Sequence, residues 1–120
     1  MAIYESGEMY LETILVLKKR GIEHVRAIDI VKEMNYSKPS VSIALSNLKK
    51  EGYVTVDANG YIEFTEEGGK IARKTYEKHT YLTKMLIDFG VSEKTASEDA
   101  CRIEHVISDE TFKAIKKKYK

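Results

Sequence analysis

The chain of 120 residues has little of several things: one cysteine, one proline and a net charge of only +1 at pH 7. One cysteine cannot form an internal disulfide, which suits a reducing compartment, where a lone thiol is buried, reactive or metal-bound. The small net charge excludes a strong overall attraction to nucleic acid or to membrane surfaces. No apolar run reaches the roughly 18 residues that a membrane-spanning helix needs, and Met1–Glu8 does not have the pattern of a signal peptide. We therefore expect a cytoplasmic protein that does not associate with membranes.

The first fifty residues have the pattern of three helices. In the stretch GEMYLETILVLKKRG the apolar residues recur at about the helical period of 3.6, and Gly21 is a typical helix end. A short amphipathic helix is predicted near Arg26–Met34. Ser37 then has the position of an N-cap, with Pro39 in the first turn of a third helix that Gly52 ends. Two short helices joined by a tight turn predict a helix-turn-helix.

A β-hairpin is predicted directly after these helices. The β-rich runs YVTV and YIEF flank DANG, and the Asn59-Gly60 pair favours a turn. A helix-turn-helix followed by a hairpin predicts a winged helix; the alternative is a generic helical domain with a surface hairpin. The predicted fold class is mainly α with a small β-hairpin. We expect an N-terminal winged helix-turn-helix domain at residues 1–64 and an all-helical domain at residues 65–120.

Three more helices are predicted in the second half. Thr65 caps a long helix that Gly90 ends, Ser92 caps a helix through about Val106, and Ser108 caps the last. Three helices after a winged domain have little core of their own, so their apolar faces are most simply buried against a second copy of the chain. A homodimer would also present two recognition helices to a two-fold symmetric DNA site.

The third helix is of a size to enter the major groove of DNA. Its small hydroxyl side chains permit close approach and can bond phosphate oxygens, while Lys38 can meet a phosphate and Asn47 can contact a base edge. Charge alone does not carry this prediction, because residues 1–64 hold about as many acids as bases. The candidate DNA-contacting residues are Arg26, Ser37, Lys38, Pro39, Ser40, Ser42 and Asn47, and Ile43 and Ser46 share the same predicted helix face.

The single thiol of Cys101 precedes Glu104 and His105 by three and four residues, a spacing that places all three side chains on one face of a helix. Thiolate, carboxylate and imidazole are all competent metal ligands. Three such donors on one face would need a fourth ligand from another part of the chain. The alternative is a buried, inert cysteine beside two hydrogen-bonding or surface residues. A nucleophilic Cys–His pair is disfavoured because nothing nearby marks an oxyanion hole or a substrate pocket, so we do not expect an enzyme.

Two motifs, EMYLETI near the start and EDACRIEHVISDE near the end, carry a family resemblance, with SKPSVS and RKTYEKH between them. Over residues 6–115 the sequence resembles the diphtheria toxin repressor (DtxR/MntR) family of metal-dependent transcriptional repressors, in a short form without the SH3-like domain of the longer members. The resemblance implies a cytoplasmic homodimeric repressor that binds operator DNA of metal-homeostasis genes when it is loaded with Fe²⁺ or Mn²⁺.

The resemblance also implies a metal site. Met9 matches the family's ligand on the first helix, and Cys101, Glu104 and His105 match three ligands on a later helix, so that one ion would tie the DNA-binding half to the dimerisation half. Manganese-type members carry carboxylates where this chain has Met9 and Cys101. These softer donors favour Fe²⁺ with Mn²⁺ as the runner-up, while Co²⁺, Ni²⁺ or Zn²⁺ are able to bind in vitro.

A second metal site is a further expectation from the resemblance. Glu12 and His79 match residues of the two-metal cluster in manganese-type members. His79 also matches the ancillary-site histidine of iron-type members, but Thr83 and Ser97 replace the other ancillary ligands, and both are poor ligands. His24 matches no ligand. The alternative function is a winged-helix transcription regulator with a vestigial metal site or another effector.

Overall fold

The computed structural model describes residues 5–119, apart from the side chain of Glu5. The outer ends of both predicted domains and part of the Met1–Glu8 segment lie outside these residues. Every helix among these residues is too short or too polar to span a lipid bilayer. The elements, in chain order, are α1 Glu5–Lys19, α2 Ala27–Met34, α3 Lys38–Lys50, β1 Val54–Val56, β2 Ile62–Phe64, α4 Glu66–Asp88, α5 Glu93–Ile103 and α6 Asp109–Lys118.

The chain divides into two compact units, and the boundary between Arg73 and Lys74 lies inside α4. The first unit has one hydrophobic core to which α1, α2, α3 and both strands contribute. Helix α1 contributes Leu11, Ile14 and Leu17, whose three-residue spacing keeps them on one face. The other buried members of this core are Tyr10, Val25, Ile30, Val41, Leu45, Leu48, Tyr53, Val54, Ile62 and Ala72.

The turn between α2 and α3 has Ser37 and Pro39 in their predicted roles. Asn35 ends α2 in the left-handed conformation, with φ of 56°, which asparagine tolerates better than most residues. Ser37 caps α3, since its Oγ accepts a hydrogen bond from the Ser40 backbone N–H at 3.2 Å. Pro39 lies in the first turn of α3, where the missing backbone N–H costs nothing.

Strands β1 and β2 form an antiparallel hairpin in which Val54 pairs with Phe64 and Val56 with Ile62. The connection runs over residues 57–61, longer than a two-residue turn. Gly60 adopts a positive φ of 81°, and Oδ1 of Asp57 accepts hydrogen bonds from two backbone N–H groups of the loop. The loop of the hairpin is therefore stabilised by Asp57, whereas the sequence prediction of the turn rested on the Asn59-Gly60 pair.

Helix α4 begins beside the C-terminal end of α3. Thr65 caps α4 by accepting a hydrogen bond from Gly68 N–H at 3.1 Å, and its own hydroxyl donates to the Gly52 carbonyl at 2.7 Å. A Cβ added to Gly68 would lie 1.8 Å from the carbonyl oxygen of Tyr53. The sequence suggests that the two glycines weaken this helix start, but the structure shows that Gly68 permits a close backbone approach.

The second unit consists of the rest of α4 with α5 and α6. Its buried apolar residues include Leu82, Ala96 and Ala100. The rings of Phe112 and Tyr81 meet edge to face, with ring centroids 5.9 Å apart. Two ion pairs join α4 to α6, from Lys74 to Asp109 at 3.0 Å and from Lys116 to Glu77 at 2.9 Å. The hydrogen-bonded Lys74 ammonium lowers the pKa of the Asp109 carboxyl.

The predicted fold class, a winged helix-turn-helix followed by helices, is confirmed by these elements. One predicted boundary was wrong. Helix α5 ends at Ile103, three residues before Val106, and Glu104 is its C-cap residue. Glu104 and His105 thus lie in the turn that follows the helix.

The close approach at Gly68 leads to a stability prediction. Gly68→Ala gains helix propensity of about 1 kcal/mol, but its Cβ meets the backbone oxygen of Tyr53 and forces α4 to shift. We expect the free energy of unfolding, measured by urea denaturation, to fall by about 1–3 kcal/mol.

Gly69→Ala is the matched control. Its Cβ would lie 3.0 Å from Nη1 of Arg73, the far end of a flexible side chain. This variant should keep or exceed the wild-type free energy of unfolding. Equal stability of the two variants would show that the approach of α4 to Tyr53 is not tightly constrained.

Candidate metal centre and DNA-contacting face

The donors of the second unit gather at the end of α5. Cys101 lies in the last turn of the helix, and Glu104 caps it with its backbone N–H donating to the Ala100 carbonyl at 2.9 Å. The backbone N–H of Ile107 then donates to the Ile103 carbonyl at 3.0 Å and holds the turn that carries His105. These hydrogen bonds fix the backbone positions from which the three side chains extend.

These three side chains converge on one small region. Cys101, Glu104 and His105 each offer one potential ligand atom, and these atoms lie within 4.8 Å of one another. The side chains of Glu104 and His105 are fully buried, whereas Cys101 is half-buried. The structure thus brings together the three residues that sequence spacing singled out, although only Cys101 lies within the helix.

His79 on α4 reaches the same carboxylate. Its Nδ1 lies 3.2 Å from Oε2 of Glu104, while Nε2 of His105 lies 3.4 Å from Oε1. The buried carboxylate is thus placed between two imidazoles. Ser97 on α5, a poor ligand by sequence, contacts Nε2 of His79 through its hydroxyl at 3.4 Å. The placement of His79 on Glu104 was not evident from sequence, because it depends on how α4 packs in this unit.

The donor set fits a divalent cation. A buried carboxylate is costly unless it is paired or coordinates a metal. Two donors that bind one cation at about 2.1 Å, with an angle between about 90° and 109°, lie roughly 3.0–3.4 Å apart. The separation between His105 and Glu104 falls in this range. Sulfur, nitrogen and oxygen donors together suit first-row transition metals better than Mg²⁺ or Ca²⁺.

The first unit holds the other two candidate ligands on one helix. Met9 and Glu12 are separated by one turn of α1; Met9 is half-buried and Glu12 is buried. The hydroxyl of Tyr36 donates to Sδ of Met9 at 3.8 Å, and its ring makes an edge contact with Tyr10. Tyr36 belongs to the turn between α2 and α3, so the Met9 sulfur contacts the helix-turn-helix itself. This contact was not predicted from the sequence, because it joins residues that are 27 positions apart.

The candidate DNA-contacting residues of the first unit are all exposed. Arg26 lies at the N-cap of α2, where its backbone N–H donates to Oδ2 of Asp29 at 2.8 Å. The Ser37 and Ser40 hydroxyls bond one another at 2.8 Å. The exposed candidate residues are Arg26, Ser37, Lys38, Pro39, Ser40, Ser42 and Asn47, and Ile43 and Ser46 on the same helix are exposed as well.

A groove of about 530 Å³ runs between the start of α2, helix α3 and the hairpin. Ser42, Ser46 and Lys49 line its α3 side, and Arg26 and Gly60 line the opposite sides. Two cations and two hydroxyls stand at the groove and can meet phosphate oxygens. The rest of its lining is largely apolar and includes Leu45, Val56 and Ile62.

His24 precedes α2 and is exposed. The structure adds that its ring stacks on Tyr61 of the hairpin, with ring centroids 4.3 Å apart and an interplanar angle of 6°. His24 lies in the first unit and belongs to no group of candidate ligands among the residues that the structure describes.

Both halves of the chain match models of known protein families. Residues 2–62 match the model described as iron dependent repressor, N-terminal DNA binding domain. Residues 65–120 match the model described as iron dependent repressor, metal binding and dimerisation domain.

The chain is also similar to individual transcriptional regulators. The chain is 34% identical over 113 residues to an uncharacterized HTH-type transcriptional regulator of Methanocaldococcus jannaschii, covering 93% of this chain and 90% of that protein. It is 35% identical over 109 residues to the diphtheria toxin repressor of Corynebacterium glutamicum, covering 90% of this chain and 47% of the repressor. The structure of the manganese regulator SloR superposes with a TM-score of 0.82 at 27% identity, covering 98% of this chain and 54% of SloR. The chain thus spans about half the length of these last two proteins.

The geometry around Glu104 predicts how single changes affect metal binding. Cobalt(II) reports on the site, because a thiolate ligand gives it a strong near-ultraviolet charge-transfer absorption. We expect Glu104→Gln to weaken Co²⁺ affinity by at least about 100-fold, and Cys101→Ser to abolish the charge-transfer band, in anaerobic titrations of reduced protein. Glu98→Gln, at an exposed position on the same helix, should behave as wild type.

An unchanged charge-transfer band in Cys101→Ser would exclude the thiol as a ligand. Wild-type affinity in Glu104→Gln would show that the buried carboxylate has a purely structural role.

Proposed function

The chain belongs to the iron-dependent repressor family, and from that premise we propose that it is a metal-activated transcriptional repressor. It would bind operator DNA of metal-homeostasis genes as a cytoplasmic homodimer. The family is one of transcriptional repressors, in keeping with the expectation that the chain is not an enzyme. The observation that carries the proposal is the fully buried Glu104 carboxylate, flanked by two imidazoles and close to the only thiol.

We propose Met9, Cys101, Glu104 and His105 as the ligands of the activating cation. Three of these belong to the second unit, where their donor atoms lie together, and Met9 belongs to α1 of the first. The support for Met9 is its match to the family motif and the half-buried position of this residue on α1. When bound, the cation supplies a strong positive charge that the buried carboxylate and thiolate neutralise.

Fe²⁺ is the proposed physiological metal, with Mn²⁺ as the alternative. Related proteins are named for either metal, iron-dependent repressors on one side and the manganese regulator SloR on the other. The thioether of Met9 and the thiolate of Cys101 are softer than the oxygen donors that Mn²⁺ prefers. Co²⁺, Ni²⁺ and Zn²⁺ should also bind in vitro.

A second cation position is proposed at Glu12 and His79. The support comes from the second unit, where His79 faces one oxygen of Glu104 and His105 faces the other. A carboxylate that presents its two oxygens to different imidazoles is suited to bridge two cations.

Activation is proposed to follow from the division of ligands between the domains at residues 1–64 and 65–120. A set of ligands drawn from both domains is complete in only one arrangement of them, so a bound cation favours that arrangement. Shifting a population from 1:99 to 99:1 requires about 5.5 kcal/mol of differential binding. In a homodimer this arrangement would hold the two α3 helices at the spacing of two operator half-sites.

The contact between Tyr36 and Met9 gives the first domain a direct part in this mechanism. The Tyr36 hydroxyl holds the Met9 sulfur beside the turn that leads into α3. The side chain that offers the thioether therefore contacts the element that contacts DNA.

A DNA-binding assay with and without metal tests the proposal. Duplexes would be selected from a random pool with reduced protein under anaerobic Fe²⁺ or Mn²⁺, and their affinity measured by fluorescence anisotropy. We expect selected sites to be palindromic and binding to rise at least about 100-fold with metal, an equilibrium shift of about 2.7 kcal/mol. Equal binding without metal would favour the alternative, a regulator with another effector.

The three histidines of the chain provide matched variants. His105→Ala should abolish the metal response of DNA binding, because it removes a buried imidazole from the proposed site. His24→Ala removes an exposed imidazole of the first unit and should keep the full response. A full metal response in His105→Ala would contradict the proposed ligand set.

Substitutions on α3 can test the DNA contacts independently of metal binding. Lys38→Ala and Ser42→Ala should each weaken operator binding about 5- to 100-fold, while metal affinity measured without DNA stays at the wild-type value. Ser37→Ala is a poorer probe, because Ser37 also caps α3, and losing the cap costs about 1 kcal/mol.

Lys94→Ala, at an exposed position on α5, is the control for a simple loss of charge. If it weakened operator binding as much as Lys38→Ala, the assigned face of α3 would be wrong.

A further inference from the structure

The helix-turn-helix carries an exposed apolar side chain that the proposed function has not used. Among the described residues of the first unit, the exposed large hydrophobic side chains are Tyr36, at 43% exposure, and Ile43, at 64%. The Tyr36 hydroxyl contacts Met9, which explains its position. Ile43 belongs to α3 and remains unexplained.

Ile43 lies in the middle of the outer face of α3. The inner face is formed by Val41, Leu45 and Leu48, which are buried in the core. The side chains one turn away from Ile43 on the outer face are all exposed and belong to Pro39, Ser40, Ser46 and Asn47. Ile43 is therefore a branched apolar group whose exposed neighbours on α3 are small or polar, and one side of it borders a groove of about 290 Å³ that Tyr10 of α1 also lines.

The surroundings of Ile43 favour DNA over a protein partner. Helix α3 contains three lysines and no acidic residue, which suits a polyanion. Among the described residues of α3, Ile43 is the one large hydrophobic residue that is exposed, which gives much less apolar surface than the contiguous patches that mark protein interfaces. The small neighbours also permit close approach of the helix to the floor of a groove.

We propose that Ile43 packs against the 5-methyl group of a thymine in the major groove and so determines base preference at that position. This inference rests on the proposed function. Thymine alone among the four bases presents a methyl group in the major groove. Isoleucine has no hydrogen-bonding group, so it gains nothing from the polar edges of the other bases. The exclusion of water between two apolar groups is the source of the preference.

The test removes the methyl group from the DNA and the side chain from the protein. Metal-dependent duplexes selected with wild-type protein are resynthesised with each thymine replaced singly by deoxyuridine, which lacks only the methyl group. At one thymine per half-site we expect wild-type affinity to fall about 3- to 5-fold, the effect of one buried methyl group. With Ile43→Ala the same replacement should change affinity by less than about 1.5-fold.

Ile43→Val keeps a branched side chain and should retain sensitivity to the same thymine. Because Ile43 is exposed, Ile43→Ala should keep the wild-type unfolding transition and metal affinity, which excludes misfolding as the cause of any effect. A deoxyuridine penalty of equal size in wild type and Ile43→Ala at every thymine would overturn the contact.

Other outcomes separate this proposal from the function on which it rests. If Ile43→Ala altered the association state of the protein and left the thymine dependence unchanged, Ile43 would be a protein contact and the proposal would be wrong. If wild-type protein bound no duplex at any metal concentration, the proposed repressor function itself would be overturned. Loss of thymine sensitivity in Ile43→Ala alone supports the contact.

Discussion

The buried carboxylate of Glu104 is the group on which the second unit depends. It lies between the imidazole of His79 on α4 and that of His105 in the turn after α5. A buried carboxylate requires partners of this kind, because its desolvation is otherwise costly. The same constraint joins structure to chemistry, since carboxylate, imidazole and the nearby Cys101 thiol are also a donor set for a transition metal. The proposed regulation follows from a cation added to a cluster that the fold already assembles.

In the first unit, residues that build the helix-turn-helix also carry the proposed contacts. Ser37 caps α3 and lies on the face assigned to DNA. Tyr36 lies in the turn before α3 and donates to the Met9 sulfur. Because one short segment serves folding, the proposed metal response and DNA binding together, the effects of substitutions there must be separated by measuring metal affinity and stability independently.

Predictions from sequence succeeded where the signal is local. The caps of α3, α4, α5 and α6 are the predicted Ser37, Thr65, Ser92 and Ser108, because a capping hydroxyl acts on backbone groups of its own helix. The end of α5 was misplaced, since nothing in the spacing of Cys101, Glu104 and His105 distinguishes a continuing helix from a turn. Gly68 was read as a weak helix start because its contact with Tyr53 involves a residue distant in sequence.

By itself, the sequence determined the order of the elements, the winged helix-turn-helix, the family and the spacing of the three candidate donors near the end. Each of these follows from periodicity, capping chemistry or a short motif. Only the tertiary structure decided that His79 faces Glu104 and that Tyr36 contacts Met9. Both contacts join residues that are far apart in the chain. Such relations are set by packing between elements, about which local sequence patterns carry little information.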